Sequence, residues 1–184
     1  MLSVPDARHP GDPSDAGRHT AQVTELTYPH VGATRTGPLP AGYRHLRYRT
    51  RIGAGEAVLT RAGEAILTFA MHRATGARIV ADAGRAAPGV RLTVGLGPLR
   101  APCEVVWVSE HGFGYGTRPG HPATGEEAFQ VEIDDRGDVW FTVTAFSRPA
   151  GTLMRLGGPV AVGFQHLYAR LCGRALRRVS TVTS

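Results

Sequence analysis

Six short apolar runs between residues 78 and 147 constrain the fold of this chain more than any other feature. Arg78 to Ala81, Val90 to Leu96, Cys103 to Ser109, Phe113 to Thr117, Glu127 to Asp134 and Asp138 to Ser147 are rich in Val, Ile, Phe, Trp and Thr, with glycine and proline between them. No helical spacing separates the runs, and parallel strands need crossovers of about a dozen residues or more. The pattern therefore predicts an antiparallel meander. Its clearest hairpin is the last, where Asp135-Arg136-Gly137 suits a three-residue loop with glycine in the left-handed position. Closing the loop on an Asp134/Asp138 pair sets Ile133 against Val139, Val131 against Phe141, Phe129 against Val143, Glu127 against Ala145 and Glu126 against Phe146. Strand alternation then places Glu127 on the apolar face and Glu126 on the other.

Helical spacing flanks the meander on both sides. Tyr43 to Ile52 alternates arginine with Leu46, Tyr48 and Ile52 and reads as a strand, ended by Gly53 and Gly55. Glu56 to Arg73 carries Leu59, Ala62, Ile66, Phe69 and Arg73 at helical intervals, with Gly63 suggesting a close contact. From Thr152 to Val179, Leu153, Leu156, Val160, Phe164, Leu167, Leu171 and Leu176 recur every three to five residues, and Gly157-Gly158-Pro159 breaks or kinks the first turns. A strand, a helix, six strands and a long helix predict an α+β fold: a curved antiparallel sheet around a long C-terminal helix, the helix-grip or START-like architecture. Residues 1–22 read as a disordered leader, 23–42 as an appended segment and 43–180 as one domain.

Composition sets other classes aside. All 21 basic residues are arginine, and the chain has no lysine or asparagine, so part of the net charge of +6 reflects a coding bias. No apolar run approaches the ~18 residues of a membrane span. The N-terminus lacks a signal-peptide h-region, which predicts a cytoplasmic protein with Cys103 and Cys172 reduced and buried. No zinc, calcium, phosphate-loop or serine-hydrolase spacing occurs, so no metal or cofactor is expected. Arg170, Arg174, Arg177 and Arg178 share one face of the last helix, and no acidic residue follows Asp138. That face reads as solvated, with contact to nucleic acid or another acidic partner as the less favoured alternative. His72 is expected at a helix end and His166 in or near the core.

The chemistry-bearing constellation is GFGYGTRPGHPATGEE at 112–127 with AFSRP at 145–149. Tyr115, His121, Glu126 and Glu127 are groups able to move protons. A carboxylate on the apolar face, as Glu127 is, should be paired or have a raised pKa. Glu126 lies diagonal to Arg148, within reach of a charged pair. Two readings stay open: His121 and Glu126 serve the turn and the hairpin end, or they contact a ligand.

These motifs, with VWFTVTAFSRPA at 139–150, MHRATG at 71–76 and Gly158, Pro159 and Gln165, resemble the DUF1990 (UPF0548) family of bacteria and plants over about residues 42–170. Phe69 stands where the family pattern leads one to expect tryptophan. The family carries no activity to transfer, and the resemblance adds weight to His121, Glu126, Glu127, Ser147 and Arg148 as a unit. The reading favoured is a protein that binds an apolar or amphipathic small molecule between sheet and C-terminal helix, with Tyr115, Glu126, Ser147 and Arg148 as ligand contacts. The alternative is a small enzyme of cyclase, dehydratase or hydrolase type using His121 and Glu127 for acid-base chemistry in the same cavity.

Overall fold

The computed structural model describes residues 25–150 and 158–181, with side chains from 163 to 180 in the last segment. The leader and the turns expected from Thr152 to Gly157 lie outside the described residues. The elements are α1 (Ala33–Thr36), β1 (Arg44–Ala54), α2 (Glu56–Leu67), α3 (Ala70–Ala74), β2 (Arg78–Ala81), β3 (Arg91–Leu96), β4 (Leu99–Ser109), β5 (Gly112–Thr117), β6 (Ala123–Ile133), β7 (Asp138–Pro149) and α4 (Gly158–Thr181).

All seven strands form one antiparallel sheet in the order β1-β7-β6-β5-β4-β3-β2, a meander with β1 added beside β7. The β6–β7 register is the expected one, including Glu127 against Ala145 and Glu126 against Phe146. Gly137 closes the hairpin with φ 79°, and Asp134 Oδ1 accepts the N–H groups of Arg136 and Asp138, each at 3.0 Å. The inner face carries Val105, Phe113, Phe129, Val131, Phe141 and Val143, all buried, and α2, α3 and α4 pack together over this side.

Three strands run further than their hydrophobic patterns. β4 passes through Pro102, whose carbonyl accepts the amide of Arg118 at 3.0 Å. β6 starts at Ala123, and β7 continues to Pro149 opposite it. At Gly125, where φ is 149°, a methyl group would collide with the Phe146 carbonyl, so glycine is what lets the two strands stay paired.

The expected Glu56–Arg73 helix is two helices. Thr68 and Phe69 break it, and Phe69 sits at φ 60°, a left-handed conformation that costs a non-glycine residue about 1–3 kcal/mol. Burial offsets the cost: the Phe69 ring is fully enclosed, 5.5 Å edge-on from Phe113. Ala86 N–H takes the carbonyl of Leu67 at 2.8 Å, which helps end α2. Gly63 makes the anticipated close contact, since a methyl there would lie 2.8 Å from the His111 ring.

The buried face of α4 keeps Leu176 of the expected pattern but not Phe164 and Leu167. Phe164 and Leu167 are 43% and 52% exposed, whereas Tyr168, Ala169, Cys172, Gly173, Ala175 and Leu176 are buried. Small side chains let the helix approach β1 closely: a methyl at Gly173 would meet Thr50 Cγ2 at 2.9 Å. His166, expected in or near the core, is exposed.

Candidate functional site

The glycine-rich motif is a strand with two different faces. In β5, Phe113 and Tyr115 point to the inner side and are buried among aromatics, while Gly114 and Gly116 occupy the outer side. A methyl at Gly114 would overlap the Trp107 indole, and one at Gly116 would overlap Tyr28. The alternation of glycine with aromatics therefore serves two contacts at once: an apolar inner core, and close passage of Trp107 and Tyr28 outside.

On the inner face Tyr115 lies directly opposite Glu127 in the β5–β6 ladder, and its hydroxyl donates to Glu127 Oε2 at 2.8 Å. Burial lifts the Glu127 carboxyl to about 7, with the Tyr115 hydrogen bond pulling the other way. Glu127 nevertheless remains half-buried and keeps accessible surface. Tyr115 is pushed up in turn, first by burial and then by Glu127, so it stays a protonated donor at neutral pH.

His72, expected at a helix end as a cation, does lie in the last turn of α3 but is fully buried. Its ring stands edge-on to Phe129 at 4.7 Å and stacks at 6.0 Å on Tyr168 of α4, whose hydroxyl lies 2.7 Å from Nδ1. Burial, then Arg73, lowers its pKa to about 3, so it is neutral, and Nε2 has no hydrogen-bond partner among the described residues. The thiols of Cys103 and Cys172, both free and buried, are raised by burial and then by the Glu127 charge. Tyr168 is raised by burial, then by Cys172 and Glu127. These mutual influences place β4, β5, β6 and α4 around one carboxyl. The sequence reading gives His72 a helix-end role and does not single out Tyr168, although Tyr168, Cys172 and Leu176 lie at spacings of four and face inward together.

Glu126 points the other way and is 2% exposed. It accepts the Tyr28 hydroxyl and the Gly32 N–H, both at 2.7 Å on Oε2, and the Thr34 N–H at 3.0 Å and Thr34 hydroxyl on Oε1. Trp107 Nε1 donates to Thr34 Oγ1 at 2.9 Å. The carboxylate thus clasps the segment around α1 to the outer face of the sheet. The expected pair with Arg148 does not form: Arg148 is exposed and lies over the Tyr43 ring at 5.0 Å.

Two further expected site residues have local partners. His121 Nδ1 lies 2.9 Å from both the amide nitrogen and the carbonyl oxygen of Ala123, within the turn. Burial holds it at about pKa 4, with the Ala123 bond opposing. It makes no hydrogen bond or ring contact with Tyr115 or Glu127 among the described residues. Ser147 Oγ accepts from Gln165 Nε2 at 3.0 Å, tying β7 to α4. Among the described residues no cluster of three or more His, Cys, Asp or Glu could hold a metal ion, and no helix is long and apolar enough to cross a membrane.

Solved structures share the fold at low sequence identity. A Nitrosospira multiformis protein superposes with a TM-score of 0.54 at 14% identity, covering 77% of this chain and 97% of that one. A hypothetical protein of Helicobacter pylori gives 0.53 at 10% identity, covering 75% and 87%. Among sequence relatives, a UPF0548 protein of Deinococcus radiodurans is 33% identical over 194 residues, 93% of this chain and 96% of that protein. A UPF0548 protein of Arabidopsis thaliana is 39% identical over 85 residues, 41% of this chain and 42% of that one. The sequence model described as "Domain of unknown function (DUF1990)" matches residues 27–175, a span that takes in the Tyr28–Thr34 segment clasped by Glu126 as well as the sheet and most of α4. The chain belongs to the DUF1990 family.

Proposed function

We propose that this protein binds an apolar or amphipathic small molecule between the inner face of its sheet and α4, in a helix-grip arrangement, with the Tyr115–Glu127 pair as the polar recognition element. The observation that carries the reading is Glu127 itself: desolvated to a pKa of about 7, yet still accessible and holding one hydrogen bond. A carboxyl costs stability in an apolar interior, and a ligand donor at its second oxygen would offset that cost. The rings of Phe113, Phe129 and Tyr168 are buried around the pair, apolar neighbours of the kind that usually accompany a few convergent polar groups in a ligand site. Ser147 and Gln165 are candidates for further polar contact.

The test is mass spectrometry of whatever copurifies with the protein, repeated on Glu127→Gln. The reading expects a bound small molecule whose retention falls by roughly tenfold or more in the variant, the cost of one charge-assisted hydrogen bond. Finding no bound molecule, together with no saturable binding of a fluorescent apolar probe, would overturn it.

The same geometry favours one second reading, acid-base catalysis. A carboxyl titrating near 7 suits proton transfer at neutral pH, and Tyr115 is a fixed donor beside it. Glu127 would then work with Tyr115 rather than with His121, whose imidazole is engaged by Ala123. Chemical change of the copurified molecule on incubation, abolished in Glu127→Gln, separates catalysis from binding.

A further inference from the structure

We propose that the outer face of α4 docks on an anionic membrane surface, with Phe164 and Leu167 entering the interface and Arg170 and Arg174 meeting lipid phosphates. The contact uses none of the residues of the Tyr115–Glu127 site and stands whether or not that site takes a ligand.

Four side chains make the face. Phe164, Leu167, Arg170 and Arg174 follow one another at intervals of three, three and four, which aligns them along one side of a helix, and all four are exposed. Single exposed apolar residues are ordinary on a protein surface, but here two large ones sit on adjacent turns of one helix. The step from Phe164 to Arg174 spans roughly 15 Å, so both ends of the patch reach a flat surface together.

The helix cannot turn the apolar pair inward. Tyr168, Ala169, Cys172 and Leu176 hold its other side in the core. Gln165 Nε2 donates to Ser147 Oγ at 3.0 Å beside the pair, and Arg61 Nε donates to the Ser180 carbonyl at 2.8 Å near the other end. Phe164 and Leu167 are therefore held outward before any partner arrives.

Charge selects the partner. No Asp or Glu follows Asp138 in the sequence, so α4 carries no acid of its own. Neither Arg170 nor Arg174 forms an ion pair with a described residue. Guanidinium forks suit phosphate oxygens, and arginine stems lie along apolar surface while their heads reach the head-group layer. Apolar side chains beside arginines on one helix face fit the boundary between acyl chains and head groups, where both are satisfied. Nucleic acid matches the arginines but offers Leu167 no apolar interior to enter. A second copy of the chain matches the apolar pair but adds its own arginines to the same contact.

The test is sedimentation of the full chain with phosphatidylcholine vesicles, with and without phosphatidylglycerol, at about 100 mM salt. The expected result is saturable binding to vesicles that contain phosphatidylglycerol and weaker binding to phosphatidylcholine alone. Phe164→Ser should weaken it roughly tenfold, the loss of one aromatic side chain from the interface. Arg174→Gln should weaken it about fivefold, the loss of one basic group at the surface. Val80→Ser, which removes a similarly exposed apolar side chain from β2 at the opposite edge of the sheet from β1, should leave it unchanged. To separate lost binding from lost folding, Leu167→Trp keeps the patch apolar, and its added indole should be quenched by acyl-brominated lipid beyond the level of the parent protein. No vesicle binding, equal binding with and without phosphatidylglycerol, equal losses in Phe164→Ser and Val80→Ser, or no added quenching in Leu167→Trp would overturn the proposal. A dimer disrupted by Phe164→Ser and seen without vesicle binding would overturn it in favour of a second copy, and tight oligonucleotide binding without vesicle binding in favour of nucleic acid.

Discussion

Tyr115 and Glu127 face each other across β5 and β6, and the phenol donates to the carboxylate over 2.8 Å on the inner side of the sheet. Both are desolvated there, and the acid titrates near 7. The consequence is a stability that depends on pH in a definite direction.

The folded-state pKa of Glu127 is raised above its unfolded value, so between about 4.5 and 7 the folded state binds more protons than the unfolded one. The Glu127 contribution therefore destabilises the fold as pH rises through that window. A shift from 4.5 to about 7 corresponds to at most about 3 kcal/mol. Glu127→Gln removes this dependence. Urea unfolding of both proteins at several pH values checks it: the variant should gain stability relative to the parent as pH rises from 5 to 8, and a constant difference would contradict the burial of Glu127.

His72 acts in the opposite sense. Its folded pKa is lowered to about 3, so its stabilising contribution is present above the unfolded value of 6.5 and is lost as pH falls below it. His72→Phe keeps the aromatic packing against Phe113 and Phe129 but gives up the Tyr168 hydrogen bond, costing about 1 kcal/mol at pH 7. The variant should unfold less steeply in acid than the parent between pH 6.5 and 4, read by circular dichroism.

Glu126→Ala should cost about 3–5 kcal/mol, because it strands several buried donors from Tyr28, Gly32 and Thr34. Hydrogen exchange localises the effect. The Gly32 and Thr34 amides should lose protection first, while those of β6 and β7 lose it only with global unfolding.

Gly114→Ala should destabilise by about 1–3 kcal/mol, because the added methyl overlaps the Trp107 indole. Pairing it with Trp107→Leu, which vacates that space, should cost less than the sum of the two single changes. Additive costs would show that Trp107 does not lie against Gly114.

The hairpin from Glu126 to Ser147 was fully legible beforehand, because its register needs only a loop length and a period of two. The site around it was legible in part. Glu127 could be assigned to the apolar face, yet its tyrosine partner across the ladder could not, since the loop from Arg118 to Pro122 sets no simple register. The hairpin register offers Glu126 a pair with Arg148, its diagonal neighbour. Its partners instead come from Tyr28, Gly32 and Thr34, more than ninety residues earlier.

Local patterning by itself determined the all-antiparallel meander, the terminal helix and the opposite facing of the two adjacent glutamates, because each follows from side-chain direction along a single element. Only the tertiary structure decided which distant groups would cover each face. The helix breaks at the buried Phe69, His72 lies in the core, and Gly173 lets α4 close on β1. Those outcomes rest on shape and hydrogen bonding between segments far apart in the chain, and periodicity within one segment carries no record of them.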